Sequence, residues 1–177
     1  IAWLIWSVGV AAYILTVMQR TTLAAAGLDA ADRFGLSPGT LAAFVFIQVA
    51  APSRSALEEY RSFQERVQRV THRINERFGR SGYQPVHLLA QHHEHDAVTE
   101  LFRAANICVV TSLHDGMNLV CKEFVAARDD MQGVLVLSRF AGAARELAEA
   151  LIVNPYHVEE TADALYRAAT MPPAEQR

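Results

Sequence analysis

The run Asp115, Gly116, Met117, Asn118, Leu119, Val120, followed by Lys122 and Glu123, is the part of this chain best equipped for chemistry. A polar loop meets the start of a helix here. The first turn of a helix carries N–H groups without intrahelical partners and a partial positive charge, so a phosphate or diphosphate is its natural ligand. Gly116 permits close approach of the backbone to a ligand. The amides near Asn118, Leu119 and Val120 are the candidate phosphate donors, and Glu123, one turn on, is placed to accept bonds from sugar hydroxyls. A plainer reading stands beside this one, because Asp and Asn cap many helices and Asp-Gly is a common turn.

Four further groups have the right residue types for a site. Pro52, Ser53 and Arg54 follow an apolar run, and an arginine just past a strand end can hold phosphate through two parallel charge-assisted bonds; it is otherwise a surface arginine leading into a helix. Phe140 to Ala144 join a strand to a helix, and their small side chains fit close packing against a neighbouring element or a ligand. Lys122 reads as a solvated helix lysine before it reads as a phosphate neutraliser, and Glu146 as an exposed helix residue before a catalytic base. His87, His92, His93 and His95 raise metal binding, since imidazole ligates zinc and its neighbours. Their spacing matches no closed site and no cysteine lies near them, so no metal is expected.

The elements that must position these residues follow from periodicity. From Phe44 onward short apolar runs alternate with segments of helical period, the pattern of βαβ units and a parallel sheet covered on both faces. FVFIQVAA reads as a buried strand ended by Pro52. Ser53 or Ser55 would cap a long helix whose stripe is Leu57, Tyr60, Val67, Val70, Ile74 and Phe78, with Gly79 as its stop. VHLLAQ reads as a strand, Asp96 as the cap of a helix through Arg103, and NICVVTS as a strand. The loop of interest comes next, then a helix over Leu119 to Arg128, the strand GVLVLS, a short helix over Ala143 to Glu149, the strand ALIVN, and a helix over Val158 to Thr170. The fold class is therefore α/β, Rossmann-like, with helices flanking a parallel sheet, and the chain divides into residues 1–43 and 44–177.

At 177 residues and a net charge of −3, with a sequence pI near 6.2, the chain is about one domain long. It lacks the basic footprint of a nucleic-acid binder. Cys108 falls in an apolar strand and Cys121 in a helix, so both read as buried thiols of a cytoplasmic protein rather than a secreted disulfide framework.

Residues 1–19 hold no charge, and as a helix rising about 1.5 Å per residue they would nearly span a bilayer core of about 30 Å. Trp3 and Trp6 at one end, and Gln19 with Arg20 at the other, suit interfacial anchoring. No cationic segment precedes the run, which argues against a cleaved signal peptide. The expectation is an apolar N-terminal helix, with membrane contact through residues 1–19 as one consequence.

HDGMNLVCKEFVAAR, followed by VLVLSRFAGAARELAEALIVNPYHVEETADAL, resembles the donor-binding half of the trehalose-6-phosphate synthase family, retaining glycosyltransferases built from two Rossmann-like domains, over residues 44–177. The resemblance implies transfer of glucose from UDP-glucose to glucose 6-phosphate with retained configuration, giving trehalose 6-phosphate and UDP. Reaction on one face of the sugar, with the departing phosphate assisting acceptor deprotonation, rests on positioning and charge stabilisation and uses no cofactor. It implies Asp115 in the catalytic position, meeting the donor glucose with the Gly116, Met117 and Asn118 backbone. Leu119 and Val120 would meet the phosphates, Glu123 the ribose, and Arg54 the phosphate of the acceptor. The segment QHHEHD corresponds to one that lines the uracil pocket, and it departs from the family pattern there.

The continuation QRTTLAAAGLDAADRFGLSPGTLAAF is similar to the first helix region of a major facilitator superfamily transporter. Residues 1–43 thus stand where the synthase family carries its acceptor domain and a basic Arg/Lys pair for the donor diphosphate. The expectation is a donor-binding fold with little or no synthase turnover, its acceptor domain supplied by another chain. The competing expectation is a membrane-tethered or chimeric remnant with a joint near FVFIQVA and no turnover.

Overall fold

The computed structural model describes residues 12–15, 45–49 and 58–176. Among them six strands form one sheet: β1 (Ala12–Leu15), β2 (Phe46–Val49), β3 (Val86–Leu89), β4 (Ile107–Val110), β5 (Val134–Ser138) and β6 (Leu151–Val153). Every pairing between them is parallel, and their order is β3-β2-β1-β4-β5-β6. Among the described residues four helices flank the sheet: α1 (Glu58–Phe78), α2 (His95–Ala104), α3 (Leu119–Ala127) and α4 (Val158–Thr170). The expected α/β architecture with a parallel sheet is the one observed.

Strands covered on both faces carry apolar side chains at every position, and all residues of β4 and β5 are buried. Alternation along them builds two cores. Ile107, Val109, Val134 and Val136 pack with Ile74 of α1 and Leu165 of α4. Cys108, Val110, Leu135 and Leu137 pack with Phe102 of α2 and Phe124 of α3 on the other face. Of the stripe expected along α1, Val70 and Phe78 join Ile74 against the first core. Gly79 ends α1 as expected, because a Cβ there would lie 2.3 Å from the Asn75 carbonyl oxygen.

Residues 12–15 depart from the expectation of an apolar helix. These four residues are a strand, paired with β2 on one side and β4 on the other. An unbroken apolar run fits a buried parallel strand as well as a helix, and period alone does not separate them. The rest of the run over 1–19, the boundary at 43/44, and Pro52, Ser53, Arg54 and Ser55 lie outside the described residues. Among the described residues no helix is long and apolar enough to cross a membrane.

Two local expectations are corrected. The residue before α2 is Glu94, without a side-chain cap, and Asp96 sits in the first turn, where a carboxylate opposes the positive helix end without capping it. The helix expected over Ala143 to Glu149 is a single 3-10 turn, Gly142–Arg145. Its start is tied to the β4–α3 loop, and the chain must then return along the sheet to begin β6 at Leu151, which leaves no length for a helix.

Asn75 joins α1 to β3. Its Nδ2 donates to the Val86 carbonyl at 2.9 Å and its Oδ1 accepts from the Val86 amide at 3.0 Å. Both bonds are partly buried, so Asn75→Ala should lower unfolding free energy by about 2 kcal/mol, the cost of leaving two backbone groups poorly paired. Urea unfolding at constant m-value checks this; a loss below about 0.5 kcal/mol would show that water replaces the side chain freely.

Candidate functional site

In an open parallel sheet, ligands bind past the carboxyl ends of the strands where the strand order reverses. Here that point lies between β1 and β4, and the loop Thr111 to Asn118, which follows β4, stands at it. Gly116, Met117 and Leu119 are exposed, while Thr111, Ser112 and Asn118 are buried beneath them. The loop thus has a wet rim and a polar floor.

Asp115 shapes the rim. Its Oδ1 accepts from the amides of Met117 at 3.1 Å and Asn118 at 3.0 Å, and its Oδ2 accepts from Asn118 Nδ2 at 3.0 Å. Asn118 caps α3 through Oδ1, which accepts from the Cys121 amide at 3.1 Å. Of the amides expected near a phosphate, that of Asn118 donates to Asp115 in this structure. Of the first-turn amides of α3, those of Leu119 and Val120 have no partner among the described residues. Asp115 keeps acceptor capacity for a further donor, because a carboxylate offers about four lone-pair sites.

The chain after β5 supports the loop from the side. The Asp115 amide donates to the Phe140 carbonyl at 3.2 Å, the Gly142 amide to the Asp115 carbonyl at 3.0 Å, and the Ala143 amide to the Met117 carbonyl at 2.8 Å. Ala141 and Ala143 are buried, so the small residues serve packing, as read from their sequence. Beneath the loop lie two residues that sequence reasoning passed over, Ser112 and Ser138. The Ser138 hydroxyl donates to the Ser112 carbonyl at 2.6 Å and accepts from the Phe140 amide at 3.1 Å, while Ser112 Oγ accepts from Asn118 Nδ2 at 3.2 Å. A hydroxyl closing an otherwise wholly apolar strand was the available signal.

Glu123 is half-buried on α3, and its carboxylate has no hydrogen bond or ion pair among the described residues. Lys122 is not simply solvated: its Nζ lies 2.7 Å from Glu146 Oε2 and ties α3 to the turn after β5. Both groups are too exposed for that pair to stabilise the fold by much. Cys121 and Cys108 are free and buried. Burial pushes the Cys121 thiol up, and it donates to the Asn118 carbonyl at 3.0 Å. In the Gln91 to Asp96 segment, His93 Nε2 is buried without a hydrogen-bond partner among the described residues, whereas His92 and His95 are exposed. Among the described residues no group of three or more His, Cys, Asp or Glu could hold a metal ion.

Residues 36–177 match the model of glycosyltransferase family 20. Over 140 residues the chain is 45% identical to alpha,alpha-trehalose-phosphate synthase [UDP-forming] of Botryotinia fuckeliana (strain B05.10), covering 79% of this chain and 27% of that protein. It is 48% identical over 132 residues to trehalose-6-phosphate synthase of Salmonella arizonae, covering 74% of this chain and 28% of the relative. Among solved structures it is similar to the UDP-forming synthase of Burkholderia xenovorans in complex with glucose-6-phosphate, at 38% identity and TM-score 0.82, over 94% of this chain and 37% of the other. A structure from E. coli bound with UDP-2-fluoro glucose is similar at 38% identity and TM-score 0.81, over 94% of this chain and 38% of the other. The chain thus spans little more than a quarter of the length of these curated relatives.

Proposed function

The chain belongs to glycosyltransferase family 20, and from that membership we propose that it is the donor-binding part of a trehalose-6-phosphate synthase, taking UDP-glucose at the loop after β4. One observation carries the reading. At the point where strand order reverses, the first turn of α3 presents two amides, those of Leu119 and Val120, that no other group among the described residues has claimed. A diphosphate seated there meets N–H donors and the positive end of the helix together, so its charge is answered without a metal ion or other cofactor.

Glu123, one turn along α3 with a carboxylate unengaged among the described residues, then accepts from the ribose hydroxyls. Asp115 and the backbone of Gly116, Met117 and Asn118 face the glucosyl group, with Asp115 held in place by the bonds it accepts from that same loop. The acceptor is glucose 6-phosphate, with Arg54 at its phosphate. The products are trehalose 6-phosphate and UDP, with the anomeric configuration retained. The chain's residues contribute by holding the leaving diphosphate and orienting the reacting carbon, the kind of catalysis that rests on position and fixed dipoles. Relatives bound with UDP-2-fluoro glucose and with glucose-6-phosphate support this choice of ligands.

In this reading residues 44–177 form the donor-binding unit in the cytoplasm, and the preceding segment contributes β1 to its sheet. The acceptor-binding domain comes from another chain, and this chain alone turns over little. Calorimetry with UDP tests the reading: binding is expected in the chain as it stands, and Glu123→Ala should weaken it about tenfold, one charge-assisted hydrogen bond's worth. Asp115→Ala should cost more, because it releases the loop as well. A coupled UDP-release assay with both sugars should show turnover far below that of a complete synthase. No heat of UDP binding at millimolar concentration, or a Glu123→Ala variant that binds as well as the parent, overturns the assignment.

A further inference from the structure

Resting on the nucleotide-sugar reading above, we infer that the Asn118 side chain, backed by Ser112 and Ser138, is the positioning device that decides which amides of α3 remain open to the ligand. Asn118 is one of two described non-glycine residues with positive φ, at 70°. A left-handed backbone costs a residue with a side chain of order 1 kcal/mol, and it persists where surrounding bonds over-determine it. Here they do. The side chain is buried, with Nδ2 shared between Asp115 Oδ2 and Ser112 Oγ, and Oδ1 spent on the Cys121 amide.

A helix cap needs only the last of these bonds. The other two hold Asn118 from the opposite side, against Asp115 on the rim and against Ser112, two residues past the end of β4. Ser112 is held in turn: Ser138, with no exposed surface, donates to its carbonyl at 2.6 Å and fixes the Phe140 amide with the same hydroxyl. The ends of β4 and β5 and the loop between β4 and α3 are therefore one hydrogen-bonded body. Within it the amides of Met117, Asn118 and Cys121 point to side-chain oxygens of the loop itself. Leu119 and Val120 are left over by construction of this network. Donors fixed beforehand bind charge without the cost of ordering them. The side chains of Asn118, Ser112 and Ser138 are buried and act through the backbone they hold, so their role is one of positioning.

Asn118→Gly separates the side chain from the backbone, because glycine adopts positive φ freely. Measured on the whole chain, Asn118→Gly should weaken UDP binding about tenfold and Ser138→Ala about threefold, each equivalent to the loss of ordinary hydrogen bonds. In the same variants hydrogen exchange at the Met117 and Cys121 amides should accelerate while Val109 and Val136 stay protected, which a general loss of stability would not produce. Asn118→Gly that binds UDP like the parent chain overturns the inference, for then only the left-handed backbone matters. If the parent chain itself binds no UDP, it is the nucleotide-sugar reading that fails. The exchange measurement still decides the positioning role, and unchanged protection of Met117 and Cys121 in Asn118→Gly ends it.

Discussion

Gly142→Ala should unfold the site and loosen the whole domain. A Cβ at this position would lie 2.0 Å from the carbonyl oxygen of Gly116 and 2.8 Å from its carbonyl carbon. Both are backbone atoms, and neither can swing aside as a side-chain tip could. The turn after β5 and the loop after β4 would have to part, breaking the bonds from Gly142 to the Asp115 carbonyl and from Ala143 to the Met117 carbonyl. Overpacking of this kind costs about 3 kcal/mol, which for a domain of this size lowers Tm by roughly 10 °C. UDP affinity should fall by more than the stability loss alone explains, because the open amides of α3 lose their lateral support. Gly116→Ala is the contrasting variant: a Cβ there meets nothing within 4 Å, so Tm should stay within about 2 °C of the parent. Differential scanning calorimetry on the pair checks the argument, and equal Tm values for the two would refute it.

Arg128→Ala should be as damaging to stability and harmless to the site. The Arg128 side chain is 9% exposed, and Nη1 donates to the carbonyls of Phe102, Arg103 and Ala105 at the end of α2. Its Nε reaches the Gln132 carbonyl at 2.8 Å, and Asp130 takes the remaining edge of the guanidinium. One planar cation therefore closes the C-terminus of α2, the end of α3 and the approach to β5. A bond from a charged donor contributes about 1.5–3 kcal/mol net of solvent, and the exposed Asp130 adds little. A net loss of about 3 kcal/mol and a Tm lowered by roughly 6–12 °C are expected. Arg128→Lys should recover less than half, since a single ammonium cannot span carbonyls on both sides as a planar fork does. UDP affinity measured at 20 °C should be unchanged in both. Full recovery by lysine would show that charge alone mattered.

The sheet and helices were legible wherever one period dominated. Val158 to Thr170 was read to the residue, and β4 and β5 stand inside the apolar runs that announced them. Ala12–Leu15 was misread because AYIL belongs to a long apolar run, and such a run states burial without stating whether helix or strand achieves it. Asp96 was taken for a cap on residue type, when the geometry of capping belongs to the residue before the helix. The location of the candidate site was legible, since Asp115 to Val120 announces a loop entering a helix. How the loop is braced from below was not, because that depends on Ser112 and Ser138, brought together only by pairing β4 with β5. Arg128 looked like any cation in a last helical turn, and nothing in its local sequence says that the end of α2 lies beside it.

Asn75 has a meaning for how this molecule meets its neighbours in a crowded solution. Among the described strands β3 is the outermost on its side of the sheet, and an outermost strand ordinarily offers its unused backbone groups to any extended peptide that drifts against it. At Val86 that offer is withdrawn, because both groups are already bound to the Asn75 amide. An intruding strand would have to begin its pairing at Leu88, one residue short of the end of β3 at Leu89, with too little ladder left to hold.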